Sequence, residues 1–250
     1  MNKIKLFLIT FLFITLSSFI FLYTTKDGCQ NCSQLKTGSF NYIAYNKLPE
    51  SLFSDIQSKL EANQERLLID FHLDSMPRIT IKIWSNVDEY LAEQEKAFGI
   101  RYPGSRGYIV SDPKEIRLLY THGDTKNIAL HELVHLLTLE VNPKFGNNPR
   151  WLWEAIAIYK SERSWKYANK PEQIEDRFEM MSNELNSDFN QSGAIYELGY
   201  TIGEYIEYKW GNEAFIVLIH SHGDFSELTS SPFNEIISDW QSFVKARYFE

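Results

Sequence analysis

An uncharged run near the N-terminus constrains this chain more than any other feature. Residues 6–25 carry no charged side chain and are rich in Leu, Ile and Phe, with Lys3 and Lys5 before them and Lys26 after them. A helix rising about 1.5 Å per residue would cover roughly 30 Å with this run, which is enough to cross a bilayer core. The preceding lysines predict a cytoplasmic N-terminus. We therefore expect a single-pass cell-membrane protein whose working domain is extracytoplasmic.

The alternative to a retained anchor is a secretory signal that is cleaved. No Ala occurs before Ala44, so the run is not followed by an A-x-A-like cleavage site. The small residues Ser17, Ser18, Thr24 and Thr25 leave secretion after cleavage as the alternative. The sequence favours the uncleaved anchor.

Charge and cysteine content exclude several classes of protein. The formal net charge is -8 and the pI is near 5.4, which argues against a nucleic-acid-binding surface. Cys29 and Cys32 are the only cysteines, too few for a disulfide scaffold or a multi-cysteine zinc site. We interpret them as a local disulfide or as two thiols without a redox role. Any bound metal must therefore be held mainly by His and carboxylate side chains.

Hydrophobic periodicity divides the remaining chain into a mixed part and a helical part. We assign 1–26 to the anchor, 27–38 to a linker and 39–250 to one domain, with a mixed α/β lobe over 39–142 and a helical lobe over 143–250. Alternating patterns predict strands at 39–45, 78–84, 107–111 and 116–120. Helical spacing predicts helices at 48–68, 86–98, 125–140, 149–164, 171–185, 194–210, 212–220 and 233–249. The fold class is therefore α+β.

One motif in the helix at 125–140 carries a clear chemistry. His131-Glu132-Leu133-Val134-His135 is an H-E-x-x-H sequence. Two histidines four residues apart lie on one helical face, so both rings can reach one zinc ion. Glu132 lies on the neighbouring flank, where it can act as a general base without being a ligand.

A catalytic zinc takes three protein ligands and keeps one position open. Glu154 is the candidate third ligand, 19 positions after His135 in an apolar helical run where an unpaired carboxylate would be costly to bury. Its rival, Glu140, is five residues after His135 and points away from the ligand face. We therefore predict a zinc site formed by His131, His135 and Glu154.

At these positions the sequence resembles the gluzincins, zinc metallopeptidases in which 18 residues separate H-E-x-x-H from a ligand Glu. Residues 148–159 are similar to the P-x-W-L-x-E-G-x-A-x-Y segment of that family, with Ala155 in place of Gly, and 194–211 is similar to the following Tyr- and Gly-containing helix of its small, single-domain members. The resemblance covers about residues 77–250. It implies a two-lobed zincin-like fold, in which a mixed sheet packs on the active-site helix and zinc lies between the lobes.

The resemblance also implies an activity on peptide or protein substrates. Glu132 would be the general base of zinc-assisted peptide hydrolysis, and an edge strand at either 107–110 or 116–120 would bind extended peptide. No G-x-M-E-N segment is present, which favours an endopeptidase over an aminopeptidase. For stabilising the developing oxyanion, the resemblance points first to Tyr200; Tyr196, His220 and His222 are the alternatives.

Two other hypotheses compete with an active, membrane-anchored peptidase. One is a zinc-binding pseudo-peptidase that acts as an interaction or regulatory module, although a purely structural site has no use for Glu132. The other is a membrane-tethered interaction protein with an accidental motif. The sequence leads to no prediction of oligomeric state.

Overall fold

The computed structural model describes residues 32–161, 165–166 and 174–249. The predicted membrane anchor at 1–26 lies outside these residues. Within the described ranges, none of the helices combines the length and the apolar character needed to cross a membrane.

The sheet has five strands in the order β1-β2-β3-β5-β4. The three central strands, β2, β3 and β5, run parallel, and the two edge strands, β1 and β4, pair antiparallel with their neighbours. The strand bounds are β1 Cys32–Thr37, β2 Phe40–Tyr45, β3 Ile79–Trp84, β4 Gly107–Val110 and β5 Glu115–Leu119. On β3 the predicted apolar face is confirmed, because Ile79, Ile81 and Ile83 are fully buried.

Strand β1 corrects the assignment of residues 27–38 to a linker. Cys32–Thr37 forms a hairpin with β2 across Gly38 and Ser39, with Thr37 opposite Phe40. Gly38 has a φ of 39°, a conformation that glycine adopts without steric cost. The domain therefore includes this strand.

Eight helices are described, and each matches a predicted helix to within a few residues at most ends. Their bounds are α1 Ser51–Asp70, α2 Val87–Phe98, α3 Thr125–Val141, α4 Arg150–Ser161, α5 Ile174–Ser187, α6 Ile195–Trp210, α7 Glu213–His220 and α8 Phe233–Tyr248. The ends of α2 are set as predicted: Asn86 accepts hydrogen bonds from the backbone of Asp88 and Glu89, and Gly99 ends the helix with a φ of 76°. The prediction of a mixed α+β fold is confirmed.

Helix α3 is the central element because it contacts the sheet on one side and α4 on the other. It is buried on most of its circumference, and its side chains belong to one hydrophobic core that also includes strands β2, β3 and β5 and helices α1, α4 and α6. Side chains placed on α3 are therefore held rigidly relative to both neighbours.

Helices α4 and α6 pack unusually close together. A Cβ atom on Gly199 would lie 2.8 Å from Ile158 Cδ1 and 3.3 Å from the backbone of Ala155, and one on Gly203 would overlap Tyr159. Two glycines four residues apart thus form a smooth face on α6. This close approach fixes the position of Glu154 relative to α6.

Candidate metal and catalytic site

Helices α3 and α4 bring the three predicted ligands together. Glu154 Oε2 lies 3.3 Å from His131 Nε2 and 3.7 Å from His135 Nε2. One candidate ligand atom from each residue lies within 4.8 Å of the other two. Two imidazole nitrogens and a carboxylate oxygen converging in this way can hold a metal ion.

The two oxygens of Glu154 have different environments. Oε2 faces the two histidines and is buried without a hydrogen-bond partner in the described structure, whereas Oε1 accepts a hydrogen bond of 3.2 Å from the Tyr196 hydroxyl. Burial alone would raise the pKa of Glu154, but the neighbouring His131 and His135 outweigh burial and lower this pKa to about 2. Glu154 is therefore ionised, as a metal ligand must be.

His135 is held by stacking. Its ring lies parallel to the Trp153 ring with 4.2 Å between centroids, and its Nδ1 atom has no hydrogen-bond partner among the described residues. Burial, followed by the charge of His131, lowers the pKa of His135 to about 3. The ring is consequently neutral over the physiological range, as a metal-ligating imidazole must be, and the unpartnered Oε2 atom of Glu154, which faces both Nε2 atoms, fits the ligand set of a bound cation.

Glu132 lies beside the cluster in a tight, buried space. Its side chain is 6% exposed, and a Cβ on Gly107 would lie 2.6 Å from its Oε1 atom. Burial raises its pKa to about 7; the charge of His131 opposes the shift and that of Glu154 adds to it. A carboxylate with a pKa in this range suits a general base at neutral pH.

The strand next to Glu132, β4, is one of the two edge strands of the described sheet. β5 lies between β3 and β4, so of the two predicted candidates only β4 is an edge strand. Leu119 N donates to Arg106 O at 2.9 Å, and the alternation of an antiparallel ladder then turns the backbone groups of Gly107 and Ile109 outward. Ser105 Oγ donates to one of these groups, Gly107 O, at 2.8 Å.

A cleft of about 1440 Å³ joins these features. Its walls are β4 with the preceding loop on one side and residues of α3, α4 and α6 on the other; they include His131, Glu132, His135, Glu154, Arg150, Trp153 and Tyr196. Phe98 and Tyr102 add exposed aromatic surface at its rim, at 49% and 52% exposure. The cleft is large enough for several residues of an extended chain.

The four predicted oxyanion candidates occupy different places, and Tyr196 alone among them lines the cleft. Tyr200, the first choice, is buried at 8% exposure and packs edge-on against Tyr159, with 5.3 Å between centroids. His220 ends α7 as an exposed residue, and His222 Nδ1 lies 3.1 Å from Asn148 O. The structure thus brings Tyr196, one helical turn before Tyr200, to the cleft and leaves Tyr200 in the core.

Two further predictions concern residues outside the cleft. Glu140 forms a 3.2 Å ion pair with Lys114, in agreement with its rejection as a ligand. Cys32 is disulfide-bonded, which agrees with the local-disulfide interpretation and excludes an idle thiol at this position.

Two residues at the site, Trp153 and Arg150, were not predicted to have functional roles and lie only within the family-like segment. Gly107 is part of one of the two predicted peptide-binding strands, but its contact with Glu132 was not predicted. Their roles depend on contacts between elements distant in sequence; the one local signal was the four-residue spacing of Arg150 and Glu154 along one helical face.

In comparisons with known proteins, the chain matches no family model and none of the curated proteins.

Proposed function

We propose that this protein is a zinc-dependent endopeptidase of the gluzincin type, with a two-lobed zincin-like arrangement of the sheet and the helices. The observation that carries the proposal is the convergence of His131, His135 and Glu154 beside Glu132 in a cleft bordered by β4, an edge strand of the described sheet. The proposal includes anchoring by residues 6–25, with the catalytic domain outside the cytoplasm.

Zinc is the metal favoured by the chemistry of the donors. Two neutral imidazoles and one carboxylate form the usual three-ligand set of a catalytic zinc site. When bound there, zinc would supply the Lewis acidity that polarises a peptide carbonyl and acidifies a water molecule.

Glu132 would accept the proton of the attacking water and return it to the leaving amine. Its burial raises its proton affinity, and its position on the flank of the ligand face leaves it free for proton transfer. Retention of this carboxylate supports an enzyme over a structural zinc module.

Strand β4 would bind the substrate backbone. The outward N–H of Gly107 and the outward N–H and C=O of Ile109 can pair with an extended peptide, and this pairing is independent of side-chain identity. Because Gly107 is in van der Waals contact range of Glu132, a peptide on this edge passes close to the base. Of the predicted oxyanion candidates, Tyr196 lines the cleft, and to donate a hydrogen bond to the developing negative charge its hydroxyl would first have to leave Glu154 Oε1.

The test compares wild type with Glu132→Gln and the matched control Glu140→Gln, which makes the same change on the same helix at a residue paired with Lys114. We would measure zinc per chain by mass spectrometry and cleavage of reduced, unfolded β-casein at neutral pH. All three proteins should bind about one zinc. Wild type and Glu140→Gln should cleave, and Glu132→Gln should lose activity by at least about a hundredfold.

Each failure has a separate meaning. Zinc binding without cleavage by wild type would favour the pseudo-peptidase alternative. Absence of zinc from all three proteins would contradict the proposed function as a whole.

A further inference from the structure

Glu154 needs a defined orientation if its carboxylate is to bind one metal ion together with both histidines. Its Oε2 atom faces the two Nε2 atoms only while Oε1 is held elsewhere, and Oε1 accepts a hydrogen bond of 3.2 Å from the Tyr196 hydroxyl. Outer hydrogen bonds of this kind orient metal ligands. The position of Tyr196 therefore matters for the geometry of the ligand set.

Packing alone does not fix Tyr196. It lies in the first turn of α6 and is 47% exposed, whereas its helix neighbours Ile195 and Leu198 are fully buried. A half-exposed tyrosine at the beginning of a helix has freedom to turn its ring toward solvent. Something else must hold the ring over Glu154.

Arg150 supplies that contact. Its guanidinium carbon lies 5.3 Å from the centroid of the Tyr196 ring, a cation–π distance. Its Nη1 atom also donates to Gln191 O at 2.8 Å and approaches Ser192 O at 3.5 Å. Both carbonyls belong to the loop that leads into α6, so one side chain holds both the loop and the ring.

The loop itself is well anchored. Asp188 Oδ1 accepts hydrogen bonds of 3.0 Å from Asn190 N and Gln191 N, and Ser192 Oγ donates to Glu184 at 2.8 Å. Arg150 is thus hydrogen-bonded to a loop whose own hydrogen bonds hold it in place. Because it precedes Glu154 by four residues on α4, it lies on the same helical face as that ligand.

We propose that Arg150 is a positioning residue of the metal site, which holds Tyr196 in place and through it orients Glu154. A planar guanidinium can bond carbonyls and cover a ring at the same time, which a lysine ammonium cannot do equally well. This inference depends on the proposed function, since it requires Glu154 to be a metal ligand.

The first measurement is zinc affinity, determined by competition with a chromophoric chelator. Arg150→Met and Tyr196→Phe should each weaken zinc binding by about tenfold to a hundredfold, the range seen when outer-shell partners are removed. Arg150→Lys should lie between Arg150→Met and wild type. The double variant should bind about as tightly as Tyr196→Phe alone, since both changes remove one chain of contacts.

The matched control is Arg177→Met. Arg177 is another arginine beside the first turn of α6, 3.6 Å from Glu197, and it does not line the cleft. Its replacement should leave zinc affinity within about twofold of wild type, as expected for an exposed ion pair. Thermal unfolding of each metal-free variant checks that it is folded; should Arg150→Met fail to fold, Arg150→Lys carries the comparison.

A second measurement works without metal. In protein with ¹³C-labelled tyrosine, the Tyr196 ring resonance is identified by its loss in Tyr196→Phe, and it should shift in Arg150→Met but not in Arg177→Met. A shifted resonance with reduced zinc affinity supports the inference. An unshifted resonance, unchanged zinc affinity, or additive losses in the double variant would overturn it.

The two proposals fail differently. If wild type binds no zinc, the proposed function is wrong, and the tyrosine resonance still shows whether Arg150 positions Tyr196. If wild type binds zinc and cleaves casein while Arg150→Met behaves like wild type, only the inference about Arg150 is wrong.

Discussion

At the scale of single residues, a substitution at Gly107 should impair catalysis without impairing metal binding. A methyl group there would lie 2.6 Å from Glu132 Oε1 and 2.7 Å from Ile128 Cγ2, so Glu132 must move while the ligands on α3 and α4 stay in place. We expect Gly107→Ala to retain about one zinc per chain and to lose at least about tenfold in casein cleavage. The control is Gly123→Ala, since a Cβ at that position meets no atom within 4 Å and Gly123 does not line the cleft. Equal activity of the two variants would contradict this role of Gly107.

The burial of Glu132 should have a cost in stability that depends on pH. Its folded-state pKa is raised from 4.5 to about 7, so its contribution to stability is fully present below pH 4.5 and is lost as the pH rises through 7. Gln stays neutral and does not lose this contribution. In the metal-free protein, Glu132→Gln should therefore be more stable than wild type at pH 8.5, by on the order of 3 kcal/mol, with little difference at pH 5.

Thermal or urea unfolding in the presence of a chelator checks this expectation. Glu140→Gln, on the same helix but at a partly exposed ion pair, should show no such pH-dependent gain. A gain for Glu132→Gln that is as large at pH 5 as at pH 8.5 would show that ionisation is not its cause.

At the scale of elements, the contact between α4 and α6 links core packing to the site. A Cβ on Gly203 would lie 2.5 Å from Tyr159 Cγ, so the helices must separate even though Ala favours the helical backbone over Gly. We expect Gly203→Ala to reduce the free energy of unfolding by about 1–3 kcal/mol and to weaken zinc binding, because α4 carries Glu154. Gly193→Ala, where a Cβ meets nothing within 4 Å, should change the stability by less than about 0.5 kcal/mol.

Most elements could be predicted from periodicity because each buries one face in the core. Strand β1 could not be recognised in this way, since Cys32–Thr37 has no clear alternation and all its residues are half-buried or exposed. Its signal was Gly38-Ser39, a two-residue hairpin turn between two candidate strands.

At the site, too, local patterns could be predicted from the sequence, and contacts between elements could not. The H-E-x-x-H spacing and the apolar setting of Glu154 were enough to predict the cluster, because local helix geometry and the cost of a buried charge determine it. Tyr196 and Tyr200 share one helical face, and sequence does not say which turn of that face borders the cleft. That choice depends on how far α6 is displaced along α4, which the glycine contacts set.

At the scale of the whole molecule, zinc should stabilise the fold. The proposed ligands come from α3 and α4, and an ion that binds only the folded state raises stability by about 2.7 kcal/mol at a hundred times Kd. For a domain of this size we expect the unfolding temperature to rise by roughly 5–10 °C with saturating zinc. Differential scanning calorimetry with and without zinc checks the shift.

The matched variants make this measurement specific. Glu154→Gln should remove most of the zinc-dependent shift, and Glu140→Gln should retain it. A shift of equal size in both would indicate that zinc acts at another place on the protein.

The short length of β4 also bears on aggregation. An open sheet edge is a template on which a second molecule can pair, and proteins limit this hazard with short edge strands. β4 has four residues, of which Gly107 and Ile109 turn their backbone outward, and Ser105 already covers Gly107 O. Such an edge can pair with one extended chain over a few residues beside Glu132, but it is too short to pair stably with the sheet of another copy. We therefore expect this edge not to cause aggregation at high protein concentration.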